Sequence, residues 1–255
     1  MIEWDRFARL YDDDYGDFVD DLDFYLPLAE RTGGPILEAM CGTGRVALPL
    51  AEAGFDVVGL DISEAMIART RSKIEARRLS ERARAVAGDI RSVRLEERFT
   101  LAIVAMNSFM HLPTGADQLA ALQTLRQHLR PGGLVVLDLF NPDPHELVAD
   151  QGVLVHGKSF QSSTGAEIQK WVLRKTDFAE QTHYVEFMYD EIGPDRIVRR
   201  DVLPFTMRWL YRFELEYLLT TAGYEVEATF GSYELDDYTS DSDRLIAVAR
   251  TTAQP

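Results

Sequence analysis

A single cysteine, Cys41, stands among the 255 residues, so no intrachain disulfide can form and no oxidising compartment is implied. Bases are scarce as well. Against 42 acidic residues there are 27 Lys and Arg, a formal net charge of -15. That balance argues against nonspecific nucleic-acid binding, since phosphate neutralisation needs Lys and Arg clusters, and it fits a neutral or cationic small substrate better. No apolar run approaches the roughly 18 residues that cross a bilayer. The first 18 residues are acidic and aromatic rather than basic and then apolar, so no signal peptide is read. A cytoplasmic setting without membrane partners is the expectation. No His or Cys cluster has ligand spacing, so no metal is expected, and there is no repeat or low-complexity tract. The hydrophobic content of 46% suffices for one α/β domain with an insertion. Oligomeric state stays open, a homodimer included.

What is present is concentrated in Pro35 to Ser63, PILEAMCGTGRVALPLAEAGFDVVGLDIS. Ile36 and Leu37 open a short buried strand that reaches Glu38. A turn follows at Gly42-Thr43-Gly44, then an apolar helix from Val46 to Ala53 stopped by Gly54, then a second strand from Asp56 to Leu60 with Asp61 at its end. Parallel strands joined by a helix put their carboxyl ends on one sheet edge, where open α/β folds bind ligands. Gly42 and Gly44 let the backbone approach a ligand, and Asp61 can accept hydrogen bonds from both hydroxyls of a ribose. The third glycine of the dinucleotide fingerprint is absent; Arg45-Val46-Ala47 stands in its place.

The run from Leu37 to Gly44 resembles the first motif of class I S-adenosylmethionine-dependent methyltransferases. The resemblance implies that Glu38 faces the methionine end of the cofactor, that Gly42 and Gly44 wrap it, and that Asp61 holds the ribose. Met40 departs from the family, which often has a glycine there. A third strand at about Ala83 to Ala87 ends at Gly88-Asp89-Ile90. By the same resemblance Asp89 accepts from the adenine amino group and Ile90 lines its pocket. Cofactor contacts are thereby expected from Tyr11, Glu38, Met40, Gly42, Thr43, Gly44, Arg45, Asp61, Ile62, Met66, Gly88, Asp89, Ile90, Met106 and Asn107.

Before the first strand, Trp4, Phe7, Leu10 and Tyr11, then Phe18, Leu22, Tyr25 and Leu26, mark one or two amphipathic helices. Asp12-Asp13-Asp14 between them reads as a solvated loop, with a cation-attracting lip as the alternative. Tyr11-Asp12 matches a segment that folds over the cofactor in small-molecule methyltransferases; packing of both Tyr11 and Tyr15 against the sheet is the competing reading. Ser63 caps a helix running to about Arg78. Phe99 to Ala105 is a central strand, and it delivers Met106, Asn107 and His111 to the site. His111 resembles a histidine of amino-sugar N-methyltransferases, and as a neutral imidazole it can accept a proton. His111 and Tyr11 are the catalytic candidates.

A helix from Gln118 to Leu129 and a fifth strand from Leu134 to Phe140 follow. From about Val153 to Phe205 the pattern turns to alternating strands, with turns at Gly165 and Gly193-Pro194-Asp195. Inside it, Gly152 to Ser159 satisfies the phosphate-loop pattern letter for letter, but neither the preceding buried strand nor the following helix is there, so nucleotide triphosphate binding is not read. Trp171, His183 and Tyr189 face either substrate or core. A helix from Tyr211 to Ala222 and strands at Tyr224 to Tyr233 and Arg244 to Arg250 complete the chain. Tyr15, His111, Asn141, Trp171, Arg208 and Trp209 are the substrate-binding candidates.

The fold expected is α/β: a Rossmann-like seven-stranded methyltransferase sheet with a reversed terminal strand, plus an antiparallel β cap inserted after the fifth strand. The core takes residues 1–143 and 206–255, and the cap takes 144–205. The function expected is methyl transfer from S-adenosylmethionine to a small molecule, at an amine nitrogen first. The alternatives are O-methylation, cyclisation with the same cofactor, and a non-catalytic cofactor-binding subunit.

Overall fold

The computed structural model describes residues 3–193 and 196–252; Pro194 and Asp195 of the expected turn lie outside them. Two sheets are present. The larger has seven strands: β1 (Ile36–Ala39), β2 (Val57–Asp61), β3 (Ala83–Ala87), β4 (Phe99–Val104), β5 (Leu129–Phe140), β10 (Tyr224–Phe230) and β11 (Arg244–Thr251), in the order β10-β11-β5-β4-β1-β2-β3. Strands β1 to β5 are mutually parallel, and β11 runs antiparallel to both β5 and β10. Helices cover both faces, so the central strands are apolar throughout rather than alternating: Leu101, Ala102, Ile103 and Val104 of β4 are fully buried.

The chain leaves β1 towards β2 and β3 on one side, then returns to add β4 and β5 on the other, so strand order reverses between β1 and β4. A crevice at the carboxyl ends of such a pair is where this architecture binds ligands. Helices α3 (Ala47–Glu52) and α4 (Glu64–Ala76) follow β1 and β2. The Ser63 hydroxyl caps α4 by accepting from the Met66 amide at 3.2 Å.

The second sheet comprises β6 (Leu154–Gln161), β7 (Glu167–Asp177), β8 (Thr182–Ile192) and β9 (Val198–Arg208), all antiparallel in sequential order. Its last strand ends at Arg208, three residues beyond the expected cap boundary. The phosphate-loop lookalike becomes the start of β6, a largely exposed strand with no helix behind it. Alternation along β8 and β9 puts Val185, Phe187 and Tyr189 on the same face as Leu203 and Phe205. That face packs on α1 (Glu3–Tyr15), whose Phe7, Ala8 and Leu10 are buried.

The acidic triplet is a correction. Asp12, Asp13 and Asp14 belong to α1, not to a solvated loop, and Asp14 is buried. Asp12 Oδ1 accepts from the Thr43 hydroxyl at 2.6 Å and from Lys73 Nζ at 2.5 Å. Partners distant in the sequence thus draw these acids inward. Among the described residues no helix is long and apolar enough to cross a membrane.

Candidate active site

A cavity of about 430 Å³ opens at the carboxyl edge between β1 and β4, with the second sheet and α1 as its far wall. Its floor is the loop after β1. Met40 has φ +61°, Gly42 φ +55° and Gly44 φ +80°, so the loop turns through positive-φ backbone three times. Glycine is the residue that takes such a conformation without steric cost, which explains why Met40 is the departure from the family pattern: the backbone there keeps a glycine-like shape. The Gly42 amide donates to Asp61 Oδ2 at 2.8 Å, tying the loop to the end of β2. A side chain at Gly42 would meet the Tyr11 ring at 3.4 Å.

Asp61 also accepts from the Ser63 amide at 2.9 Å, and burial raises its carboxyl pKa. Asp89, after β3, is held the other way. Arg91 brackets its carboxylate with Nε 3.0 Å from both oxygens, and these bonds lower the carboxyl pKa. Glu38 does not reach the cavity lining. It is buried behind the loop, accepts from the Ala47 amide at the start of α3 at 2.6 Å, and burial pushes its carboxyl up to about 8 against the pull of nearby Arg45.

Arg45 also turns away from the cavity. Its guanidinium forks onto Asp21 at 2.7 and 2.6 Å and donates to the Phe18 carbonyl at 3.0 Å, a bidentate pair that uses its planar donor geometry. Thr43 and Gly44 are likewise spent inside: Gly44 packs against Thr70, where a side chain would come to 2.8 Å. Met40, Gly42, Asp61, Ile62, Met66, Gly88, Asp89, Ile90, Met106 and Asn107 line the cavity together with Tyr11, Tyr15 and His111.

After β4 the chain makes two consecutive left-handed residues, Met106 at φ +47° and Asn107 at φ +63°, each costing on the order of 1–3 kcal/mol. A 3-10 turn, Ser108–His111, follows. The His111 ring stacks edge-on against Trp4 at 4.7 Å and Phe205 at 5.2 Å. Desolvation lowers its pKa to about 4, opposed by a hydrogen bond to the Thr206 backbone. With that bond on one ring nitrogen, Nδ1 has no partner among the described residues. The ring is therefore neutral, with Nδ1 a buried acceptor.

Four substrate-binding candidates do not join the site. Asn141 accepts from the Tyr238 hydroxyl at 2.6 Å and donates to the Ser240 carbonyl. Trp171 stands one residue from Lys170 on β7, so it falls on the opposite face of the sheet, edge-on to His156 at 5.1 Å. Arg208 ends β9; it pairs with Glu214 at 2.5 Å and with Gln118 at 3.0 Å. Trp209 is 1% exposed and packs on His183 at 4.7 Å. In their place stand Trp4, Phe7, Ser108, Phe187, Phe205 and Met207. Trp4, Phe7, Tyr11 and Tyr15 form one helical stripe, legible only as an apolar face; nothing in period two marked Phe187 or Phe205 as facing a ligand.

The polar groups of the cavity fit S-adenosylmethionine. Two carboxylates stand at adjacent strand ends, a glycine approaches without a side chain, and Asn107 Oδ1 is a buried acceptor with no partner among the described residues. Sequence and structure comparisons agree with that fit. The sequence model of the family described as "Methyltransferase domain" matches residues 36–133. Cypemycin N-terminal methyltransferase of Streptomyces sp is 28% identical over 222 residues, 87% of this chain and 84% of that protein. Glycine/sarcosine N-methyltransferase of Aphanothece halophytica is 27% identical over 234 residues, 89% of this chain and 80% of that protein. The CcbJ methyltransferase of Streptomyces caelestis superposes with a TM-score of 0.83 at 26% identity, covering 98% of each chain. The chain is a class I S-adenosylmethionine-dependent methyltransferase.

In this methyltransferase the cofactor's reactive group is a sulfonium-bound methyl, so the protein need supply no metal and no nucleophile of its own. Asp61 and Asp89 line the cavity at the ends of β2 and β3. Trp4 and Phe7 of α1 and Phe187 and Phe205 of the second sheet give the cavity an aromatic wall beside His111.

Proposed function

We propose that this methyltransferase acts on an amine nitrogen of a small-molecule acceptor, by in-line displacement assisted by proximity and desolvation. His111 carries the reading. An imidazole that titrates near pH 4 is too weak a base to ionise a hydroxyl, whereas a neutral amine needs only to be oriented. Nδ1 accepts the amine N–H and so aims the nitrogen lone pair across the cavity. The rings of Trp4, Phe7, Phe187 and Phe205 hold the apolar body of the acceptor and stabilise the ammonium that forms. Of the two relatives above, one is named a glycine/sarcosine N-methyltransferase and the other an N-terminal methyltransferase of cypemycin, which supports an amine acceptor.

Incubation of the protein with S-adenosylmethionine and matched pairs of small amines and their hydroxyl analogues tests this. Mass gain of one methyl on amines, with none on the alcohols, is the expected result. Methylation of the alcohols at equal rate overturns it.

A further inference from the structure

Asp138 lies near the carboxyl end of β5, wholly buried and outside the cavity lining. Three donors meet at its Oδ2: the Met106 amide at 2.9 Å and the hydroxyls of Tyr25 and Tyr233 at 3.0 Å each. Oδ1 accepts from Arg244 Nε at 2.9 Å and from a second nitrogen of the same guanidinium. The Asp138 backbone carbonyl accepts from the Asn107 amide at 2.8 Å. Both amides of the left-handed Met106–Asn107 turn therefore end on this one residue. Neither turn residue is glycine, so the conformation persists only where the surroundings hold it.

We propose that Asp138 is a positioning residue for methyl transfer, holding the Met106–Asn107 turn so that the Asn107 amide oxygen and, through the following 3-10 turn, the His111 ring face the cavity. The inference rests on that cavity being the methyl-transfer site. Only a carboxylate has acceptor sites enough for this set of donors; an amide would turn an N–H towards one of them. The anchors behind it are rigid elements. Tyr25 belongs to α2 (Leu22–Thr32), and Arg244 opens the reversed strand β11.

A buried ion pair that merely stabilises the fold can be replaced by apolar residues without loss of function. The deciding variant is Asp138→Leu combined with Arg244→Met, assayed by calorimetric titration with S-adenosylmethionine. Positioning predicts a folded protein that binds about tenfold more weakly or worse, because the Met106 amide has lost its acceptor. Asp138→Asn combined with Arg244→Met returns a carbonyl oxygen to that amide, and its affinity should lie within about threefold of wild type. Wild-type affinity in the apolar pair overturns the proposal. If the apolar pair does not fold, hydrogen exchange on the wild type decides: protection of the Met106 and Asn107 amides matching that of β5 supports the proposal, and exchange as fast as in exposed turns overturns it. Asp61→Ala serves as the control. If it leaves affinity unchanged, the assignment of the cavity has failed, and the positioning role falls with it.

Discussion

Lys170 Nζ, on β7, lies 2.6 Å from Asp14 Oδ2, on α1, 156 residues away in the chain. The pair is buried on both sides, and it is not alone. Tyr189 donates to the same carboxylate oxygen at 2.7 Å, Lys170 donates to the Tyr15 hydroxyl at 2.9 Å, and the ammonium sits 3.9 Å from the centre of the Phe187 ring. Tyr15 and Phe187 both line the cavity, so this cluster joins the two elements that form its far wall.

Removing one member of a buried pair strands the other charge, at about 3 kcal/mol or more. Lys170→Met should therefore lower stability by roughly that amount, read from the urea midpoint at constant slope. Lys158, 2.7 Å from Asp14 Oδ1, remains as a partial partner and keeps that cost near its lower end, while Asp14→Leu combined with Lys170→Met leaves no buried carboxylate stranded and should cost less than Lys170→Met alone.

Glu38 gives a pH dependence of unusual sign. Its carboxyl titrates near 8 when folded, above the ordinary 4.5, so between these values the folded chain binds more protons than the unfolded chain. Stability should fall as pH rises from about 5 to about 8, by on the order of 4 kcal/mol. Glu38→Gln cannot ionise. Denaturation midpoints of that variant should lose most of the slope across this window.

The parallel core and the cavity at its carboxyl edge were legible because each depends on local signals. The strand-turn-helix-strand order of Pro35 to Ser63 needs only period, glycine and a terminal acid, and Gly42, Asp61 and Asp89 lie at the edge those signals mark. The acceptor side was not legible in the same way. Whether Trp171 or Phe187 faces the cavity depends on which side of a sheet meets α1, and strand alternation is symmetric between the two faces. Arg208 and Trp209 were misread because the boundary between β9 and α7 (Arg212–Thr221) carries no proline or glycine to mark it. The acids of α1 were misread for the opposite reason. Their composition signals solvent, while Lys73, Lys158 and Lys170, which bind them, come from elements far along the chain.

Asp61 ties the loop and lines the cavity, so its removal should weaken S-adenosylmethionine binding in two ways. Asp61→Ala frees the Gly42 amide and deletes the acceptor at the end of β2. A hydrogen bond to a charged group contributes about 1.5–3 kcal/mol, which corresponds to about a 10- to 150-fold loss of S-adenosylmethionine affinity by calorimetry. Asp61→Asn keeps one acceptor oxygen and should fall between the variant and wild type.

His111 separates orientation from proton transfer. Its ring titrates near pH 4, so it is neutral throughout the working range, and an NMR titration of its ring protons should show a midpoint near 4 rather than near the ordinary 6.5. The acid limb of the rate profile must then belong to the acceptor amine, which reacts only when unprotonated. Two amines of different basicity should shift that limb by the difference in their own pKa values, in wild type and in His111→Gln alike. His111→Ala should lower kcat by about 10²-fold with little change in S-adenosylmethionine affinity, and His111→Gln, whose side-chain oxygen can still accept the amine N–H, should recover part of that loss. An acid limb that stays near one pH for every amine, and disappears in His111→Gln, would instead make the imidazole the base, and the orienting role assigned to Nδ1 would be wrong.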